Sequence, residues 1–500
     1  MHHFSSICNG LWTIILLFLV TSTQAQSWYQ LGADIDGEAA GDNSGRSVSL
    51  SADGSRLAIG AGGNDGNGVD AGHVRLYEWN GSAWVQLGAD IDGEAANDGS
   101  GYPVSLSADG SRVAIGAMNN TTVGHVRLYD WNGSAWVQLG ADIDGEAISD
   151  QSGTCALSAD GSRVAIGART NDGNGAAAGH VRLYDWNGSA WVQLGADIDG
   201  EAAGDYSGYA VSLSADGSRV AIGAQFNSGN GPNAGHVRLY DWNGSAWVQL
   251  GADIDGEAAG DYSGYAVSLS ADGSRVAIGA GNNDGNGTYA GHVRLYDWNG
   301  SAWGQVGADI DGEAAGDYSG FPVSLSADGS RVAIGAHLNS GNGNVAGHVR
   351  LYDWNGSAWV QLGADIDGEA AGDLSGWSVS LSADGSRVVI GASLNAGNGV
   401  DAGHVRVYAV STPVGGVENG FGTGLTVHPN PTSGPISIAL GQQYSNLYVE
   451  VRDITGKQVA TFYFGTAAQT IFEIEGASGI YFIDITSAEG QSARLRIVKN

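Results

Sequence analysis

The chain has 500 residues, of which 83 are Gly and only 7 Pro, and its 9% aromatic content includes 15 Trp. Such a chain is turn-rich without being collagen-like, and its aromatic residues imply packed cores rather than disorder. Fifty-three acids against 21 bases leave a formal net charge of -32, a field that repels nucleic acid and anionic membranes and excludes both as partners.

Residues 1–25 read as a secretory signal peptide. LWTIILLFLV (11–20) is an apolar run shorter than a membrane span, and Thr23 and Ala25 supply the small residues of a cleavage site. No other stretch approaches the roughly 18 apolar residues of a spanning helix, so no membrane span is expected. Cys8 precedes the apolar run, and the mature chain keeps one cysteine, Cys155. An exported protein without an internal disulfide must be held by its core or by metals.

Residues 26–410 hold seven near-copies of one unit, starting at Leu31, Leu87, Leu139, Leu194, Leu250, Val306 and Leu362. A period near 55 residues signals a repeat architecture. Each copy carries four strand-like runs, seen in VSLSADGSRVAIGA (104–117) and GHVRLYDWNGSAWVQLGADI (124–143). Asp109-Gly110 and Asn132-Gly133 are hairpin turns, and alternation in WVQLGADI puts Val137, Leu139, Ala141 and Ile143 on one face. Four antiparallel strands repeated seven times predict an all-β, seven-bladed β-propeller. The last copy ends at HVRVYAV (404–410) with no WVQLGADI after it, while WYQLGADI (28–35) stands alone at the start. The N-terminal strand is therefore expected to complete the last blade and close the ring.

GDYSGYAVSLSADGSRVAIGA (204–224), followed by a Gly/Asn-rich loop and GHVRLYDWNGSAWVQ (235–249), resembles the FG-GAP repeat of integrin α-subunit propellers and their bacterial relatives. The resemblance spans about 380 residues and implies a non-catalytic binding or adhesion protein. Ser207-Gly208 stands in place of the FG pair, and no Pro follows IGA. The family's DxDxDG calcium loop joins the first two strands; here Ala215-Asp216-Gly217-Ser218 fills that place, so its calcium site does not carry over.

Residues 411–422 read as a linker, and 423–500 as a separate all-β unit. VHPNPTSGPISI (427–438), VRDITGKQVA (451–460), ASGIYFIDI (477–485) and the terminal RLRIVKN (494–500) resemble the C-terminal sorting domain of the type IX secretion system. That resemblance implies an immunoglobulin-like β-sandwich, engagement of the type IX secretion machinery, and a protein displayed on the outer-membrane surface or released.

The acidic stretch GADIDGEAAGDYSG (251–264) recurs in every copy. Asp253, Asp255, Glu257 and Asp261 fall at positions 1, 3, 5 and 9, like an EF-hand loop, but Gly is at position 4 and no Glu closes position 12. It reads first as the connector between blades and second as a weak Ca²⁺ site. A catalytic pair needs two carboxylates in different environments, which near-identical copies do not supply. The repeated His of GHV (His73, His125, His180, His236, His292, His348, His404) reads as inter-blade packing, because partner ligands for seven metal sites are not apparent. Cys155 stands where other copies have Val and reads as a small buried apolar residue.

Copies differ mainly in the loop after IGA and in the residue after SG, which is Arg46, Tyr102, Tyr209, Tyr265, Phe321 or Trp377. Blade geometry puts both regions on one face of a propeller and the tight hairpins on the other. Tyr102, Tyr209, Tyr265, Phe321 and Trp377, with Phe226, Tyr289 and Leu338 from the loops, are expected to be exposed there and to contact a glycan or an extracellular protein. A secreted carbohydrate-active enzyme and a structural surface-coat component are the alternatives.

Overall fold

The computed structural model describes residues 27–120, 123–410, 421, 425–432, 434–453 and 457–499. The segment expected to be a signal peptide (1–25), and the expected linker apart from Phe421, lie outside the described residues. Chain contacts separate Ser27–Ser411 from a unit that holds Thr412–Asn500.

Seven antiparallel sheets make up the first unit. In the fourth blade the inner strand is Ala210–Leu213, followed by Arg219–Ala224 and His236–Trp242. The outer strand is broken into Trp247–Gln249 and Ile254–Asp255, both paired with His236–Trp242. This break corrects the single alternating strand read from WVQLGADI. In the second copy Val137 is exposed, Leu139 half-buried, Ala141 exposed and Ile143 buried, so one face is not kept. Gly140 adopts φ +82°, and a Cβ there would lie 3.0 Å from the Trp186 ring of the next blade. Gln138 Nε2 spans the bend, donating to Asp142 Oδ1 at 2.6 Å.

Each core lies between blades. Val181 and Leu183 of one sheet pack with Val220, Ile222 and Tyr240 of the next, all nearly or fully buried. Glycines permit this closeness: a Cβ on Gly167 of IGA would sit 2.1 Å from the carbonyl oxygen of Gly208, in the SG of the neighbouring blade. Serines of the inner strands stitch neighbours together, as when Leu269 N–H donates to Ser212 Oγ at 3.0 Å. Buried Arg238 lies 5.6 Å above the Tyr240 ring and donates to the Asp199 carbonyl oxygen of the preceding copy at 2.6 Å.

Two features close the ring. Trp28–Gln30 pairs with His404–Val410, and Ile35 stands opposite Val405. On the hairpin face, the Ala of every ADGS turn donates its N–H to the same Ala carbonyl of the next blade: 52 to 108, 159, 215, 271, 327, 383 and back to 52, each at 2.8 Å. A circle of this kind exists only if blade seven meets blade one. Asp216 fixes its own turn. Partial burial works against its charge, but hydrogen bonds from Ser218 N–H and the Ser214 and Ser218 hydroxyls prevail and hold its carboxyl below the ordinary range.

The second unit is a sandwich. Leu425–His428, Ile436–Tyr444 and Ala467–Phe472 form one sheet; Gln458–Phe464, Leu447–Asp453, Gly479–Thr486 and Ser492–Lys499 form the other. A single apolar core including Ile438, Leu440, Val449, Ile483 and Leu495 joins the sheets. Among the described residues, no helix is long and apolar enough to cross a membrane.

Candidate functional site

The loops after IGA and the blade crossovers share one face of the propeller. Asn of the GNG segment latches them, as Asn230 Nδ2 donates to the Gly256 carbonyl oxygen at 2.8 Å. This Asn is therefore a structural residue set among variable neighbours.

The four carboxylates of the acidic stretch part company. Asp253 sits at the bend of the outer strand, held by Gln249 Nε2 at 2.6 Å, and faces His236. Asp255 pairs opposite His236 in the outer strand, and its carbonyl oxygen accepts from Arg294 at 2.7 Å. Glu257 reaches the next blade, to Arg294 and His292. Asp261 is buried and caps its own loop, with Oδ2 accepting from Ala258 N–H and Asn283 Nδ2. The EF-hand-like reading of one loop gathering all four is therefore not assembled; alternate strand direction and the crossover send them to different partners.

The aromatic residues after SG converge on the axis. Tyr209 and Tyr265 rings are 4.8 Å apart with their hydroxyls 2.8 Å apart, Tyr265 and Phe321 are 4.2 Å apart, and Phe321 and Trp377 are 5.1 Å apart. Arg46 closes the circle, 5.8 Å above Trp377 and 4.7 Å above Tyr102, while Arg169 lies 5.1 Å above Tyr209. These rings are half-buried, a correction to the exposed face expected for them, because they pack on each other inside the channel mouth. Phe226 is also half-buried, 5.0 Å from both Tyr206 and Tyr262, and Leu338 is half-buried; Tyr289 is exposed and stacks on Tyr318 at 5.5 Å.

Sequence reading passed over Tyr206, Tyr262 and Tyr318, which precede SG and hold φ values of 57°, 56° and 55°. Positive φ is unusual for a ring-bearing residue, and their recurrence before SG was the only available signal. His337 was also missed. It is buried between Phe321 and Trp377, and burial pushes its pKa down to about 4. Cys155 is buried and its thiol is pushed up to about 12 by burial, as suits a core residue.

Two cavities open at this mouth. One of about 240 Å³ is lined by the axial rings, Arg46, Arg169 and inner-strand residues. Its lining includes no carboxylate, histidine or serine among the described residues. The other, about 340 Å³, is polar and combines Asn43, Asn97, Asn119 and Asp70 with the same two arginines. Both border blades two and three, where two copies are shortened. MNNTTV (118–123) replaces a nine-residue loop, and QSGTCAL (151–157) lacks one residue, so that Thr154 pairs with Gly167 as Ala210 pairs with Gly223 and no ring follows SG.

Arginine pairing singles out this mouth further. Thirteen of the sixteen propeller arginines lie within 4.0 Å of a carboxylate. Of the other three, Arg387 donates to the Gly54 carbonyl oxygen on the hairpin face. The remaining two are Arg46, whose Nε is buried without a partner, and Arg169, whose Nε donates to Gln151 at 2.8 Å.

Residues 426–500 match the secretion system C-terminal sorting domain. The chain is thus a β-propeller carrying the sorting tail of type IX secretion, which marks proteins exported to the cell surface or the extracellular space. No curated protein matches it. Solved structures similar to it include a hydrazine synthase from Kuenenia stuttgartiensis, with 14% identity, 72% of this chain and 94% of that one covered, and TM-score 0.46. A putative 6-phosphogluconolactonase from Bacteroides uniformis has 10% identity over 65% and 85%, with TM-score 0.47. The β-propeller domain of the Trilobed protease from Pyrococcus furiosus has 11% identity over 74% and 91%, with TM-score 0.39.

Proposed function

We propose that this is an exported, non-catalytic recognition or adhesion protein that takes its ligand at the axial mouth of the crossover face. The FG-GAP-like repeat pattern supports this reading. The observation that carries it is the pair Arg46 and Arg169, left without carboxylate partners beside a 340 Å³ cavity in a chain of net charge -32. The net field repels polyanions at long range, but two guanidinium groups without carboxylate partners make this mouth locally positive, and guanidinium forks suit a single carboxylate or sulfate at short range. The flanking rings offer flat apolar area at low entropic cost. An acidic glycan, or an extracellular protein presenting a carboxylate, satisfies both.

Retention of the full chain on an array of neutral and acidic glycans and matrix proteins, with and without Ca²⁺, tests this. Selective retention on acidic ligands should fall at least tenfold in the Arg46→Gln, Arg169→Gln double variant, whose melting should match the parent. Hydrolysis of a retained glycan would replace the reading with that of a carbohydrate-active enzyme. Absence of binding together with ordered self-assembly would replace it with that of a coat component.

A further inference from the structure

The repeated His of GHV lines neither mouth cavity; it begins the third strand of each blade, and the structure supplies the partners that the sequence concealed. His236 begins the third strand of blade four and is 1% exposed. Its Nδ1 faces Asp253 Oδ2 at 3.7 Å and Glu201 Oε2 at 3.8 Å. Asp253 comes from the outer-strand bend of the same blade, whereas Glu201 comes from the preceding crossover. The three atoms thus converge only because two blades meet.

This arrangement is unresolved as it stands. The Nδ1–carboxylate separations exceed hydrogen-bonding distance, and the buried Nε2 has no hydrogen-bond partner. Burial, together with Arg238, pushes the imidazole below its ordinary pKa, which favours the neutral ring over an imidazolium between the carboxylates. Arg238 is engaged with the other carboxylate oxygen, Glu201 Oε1, at 3.8 Å, and so turns Oε2 toward the histidine. Nδ1 of a buried histidine therefore faces two carboxylate oxygens across a gap that no protein cation fills.

We propose that each Glu–His–Asp triplet at the blade junctions binds a divalent cation of the zinc class, so that the metal staples neighbouring blades. All seven junctions repeat the arrangement with Nδ1–oxygen distances of 3.7–3.9 Å. At the junctions of His73, His125, His180 and His236 the three ligand atoms lie within 4.8 Å of one another, and at His404 the atoms so gathered are those of Asp34, Asp36 and His404. Tetrahedral zinc with bonds of about 2.1 Å separates its ligands by roughly 3.4 Å. Closing the last few tenths of an ångström falls to the carboxylates, since Asp253 and Glu201 are 28% and 44% exposed at the side chain while His236 is fixed. One imidazole nitrogen with two carboxylates suits zinc better than calcium, which seeks six to eight oxygens. At the seventh junction His404 faces Asp34 and Glu369, and Asp36 gathers with Asp34 and His404; Asp34 and Asp36 come from the N-terminal segment, so metal there would also lock the ring closed.

Equilibrium dialysis of the untagged full chain against Zn²⁺, with bound metal counted by mass spectrometry, tests the assignment; Ca²⁺ provides the second arm. The expected result is close to seven Zn²⁺ per chain, a raised melting temperature, and little Ca²⁺ retained. Replacing His236, His292 and His348 together by Gln keeps every carboxylate and should remove close to three Zn²⁺. Because those side chains are buried, a second variant, Asp253→Asn, Asp309→Asn, Asp365→Asn, alters only the partly exposed ligands and should lose the same number. Retention of one Zn²⁺ or fewer by the parent, or an unchanged count in the folded Asp variant, would overturn the proposal and leave diffuse binding to an acidic surface.

Discussion

The two faces of the propeller obey different rules. On the hairpin face the ADGS turns are almost identical from copy to copy, and their alanines close a circle of seven backbone hydrogen bonds. On the crossover face one copy has lost loop residues and its neighbour has lost a residue at the start of its inner strand, and two arginines line the cavity beside them. A turn that must bond to its neighbours on both sides has no freedom to drift. A loop whose only fixed obligation is one Asn latch has a great deal. Near-perfect repetition supplies the frame, and the places where it breaks are the ones free to take on a ligand.

The frame can be broken most severely at its seam. Removing residues 27–36 from the full chain takes Trp28, Leu31 and Ile35 out of blades seven and one, and leaves the His404–Val410 edge unpaired. Burial of three such side chains is worth roughly 5 kcal/mol or more, and an open strand edge invites pairing with another chain. The expected outcome is a large drop in melting temperature with self-association on size exclusion. A monomer that melts as the parent does would show that the seam contributes little to holding the ring.

A smaller but sharper break lies inside the frame. Gly167→Ala places a methyl 2.1 Å from the Gly208 carbonyl oxygen, with backbone rather than a flexible side chain in the way. Overpacking of this kind costs about 3 kcal/mol. Urea unfolding should show an earlier midpoint with an unchanged slope. The Arg46→Gln, Arg169→Gln variant should leave that midpoint where it is, and this contrast separates the frame from the mouth it carries.

How much was legible in the sequence follows the same division. Blade number, hairpin positions and the displaced N-terminal strand could be read because each is a local pattern or a count. The broken outer strand could not: Leu139 and Ile143 keep the apolar spacing of a continuous strand, and only the Trp186 ring of the next blade demands the bend at Gly140. Glu201, His236 and Asp253 lie in two successive copies of the repeat and meet only across a blade junction, so no spacing announces them. Arg46 could be read as a departure after SG and Arg169 could not, since it is one residue of a variable loop; their convergence depends on the shortened neighbours between them. Exposure of the axial rings was misjudged because a face of loops was pictured without the channel at its centre.

The smallest test concerns a departure with no evident purpose. Gly304 occupies the outer-strand position that is Val in five other copies and Tyr29 in the sixth, pairs with Asp297, has no positive φ, and has no atom within 4 Å of where its Cβ would lie. The corresponding Val248 is 48% exposed, so restoring the side chain buries little. What it changes is the unfolded chain, which loses freedom when Gly is replaced, and the strand, which accepts a β-branched residue readily. Gly304→Val should therefore stabilise the protein by about 0.5 kcal/mol, read as a slightly later urea midpoint. A destabilising result would mean that the outer edge of blade five differs from its sisters, and that glycine is required at this break in the repeat.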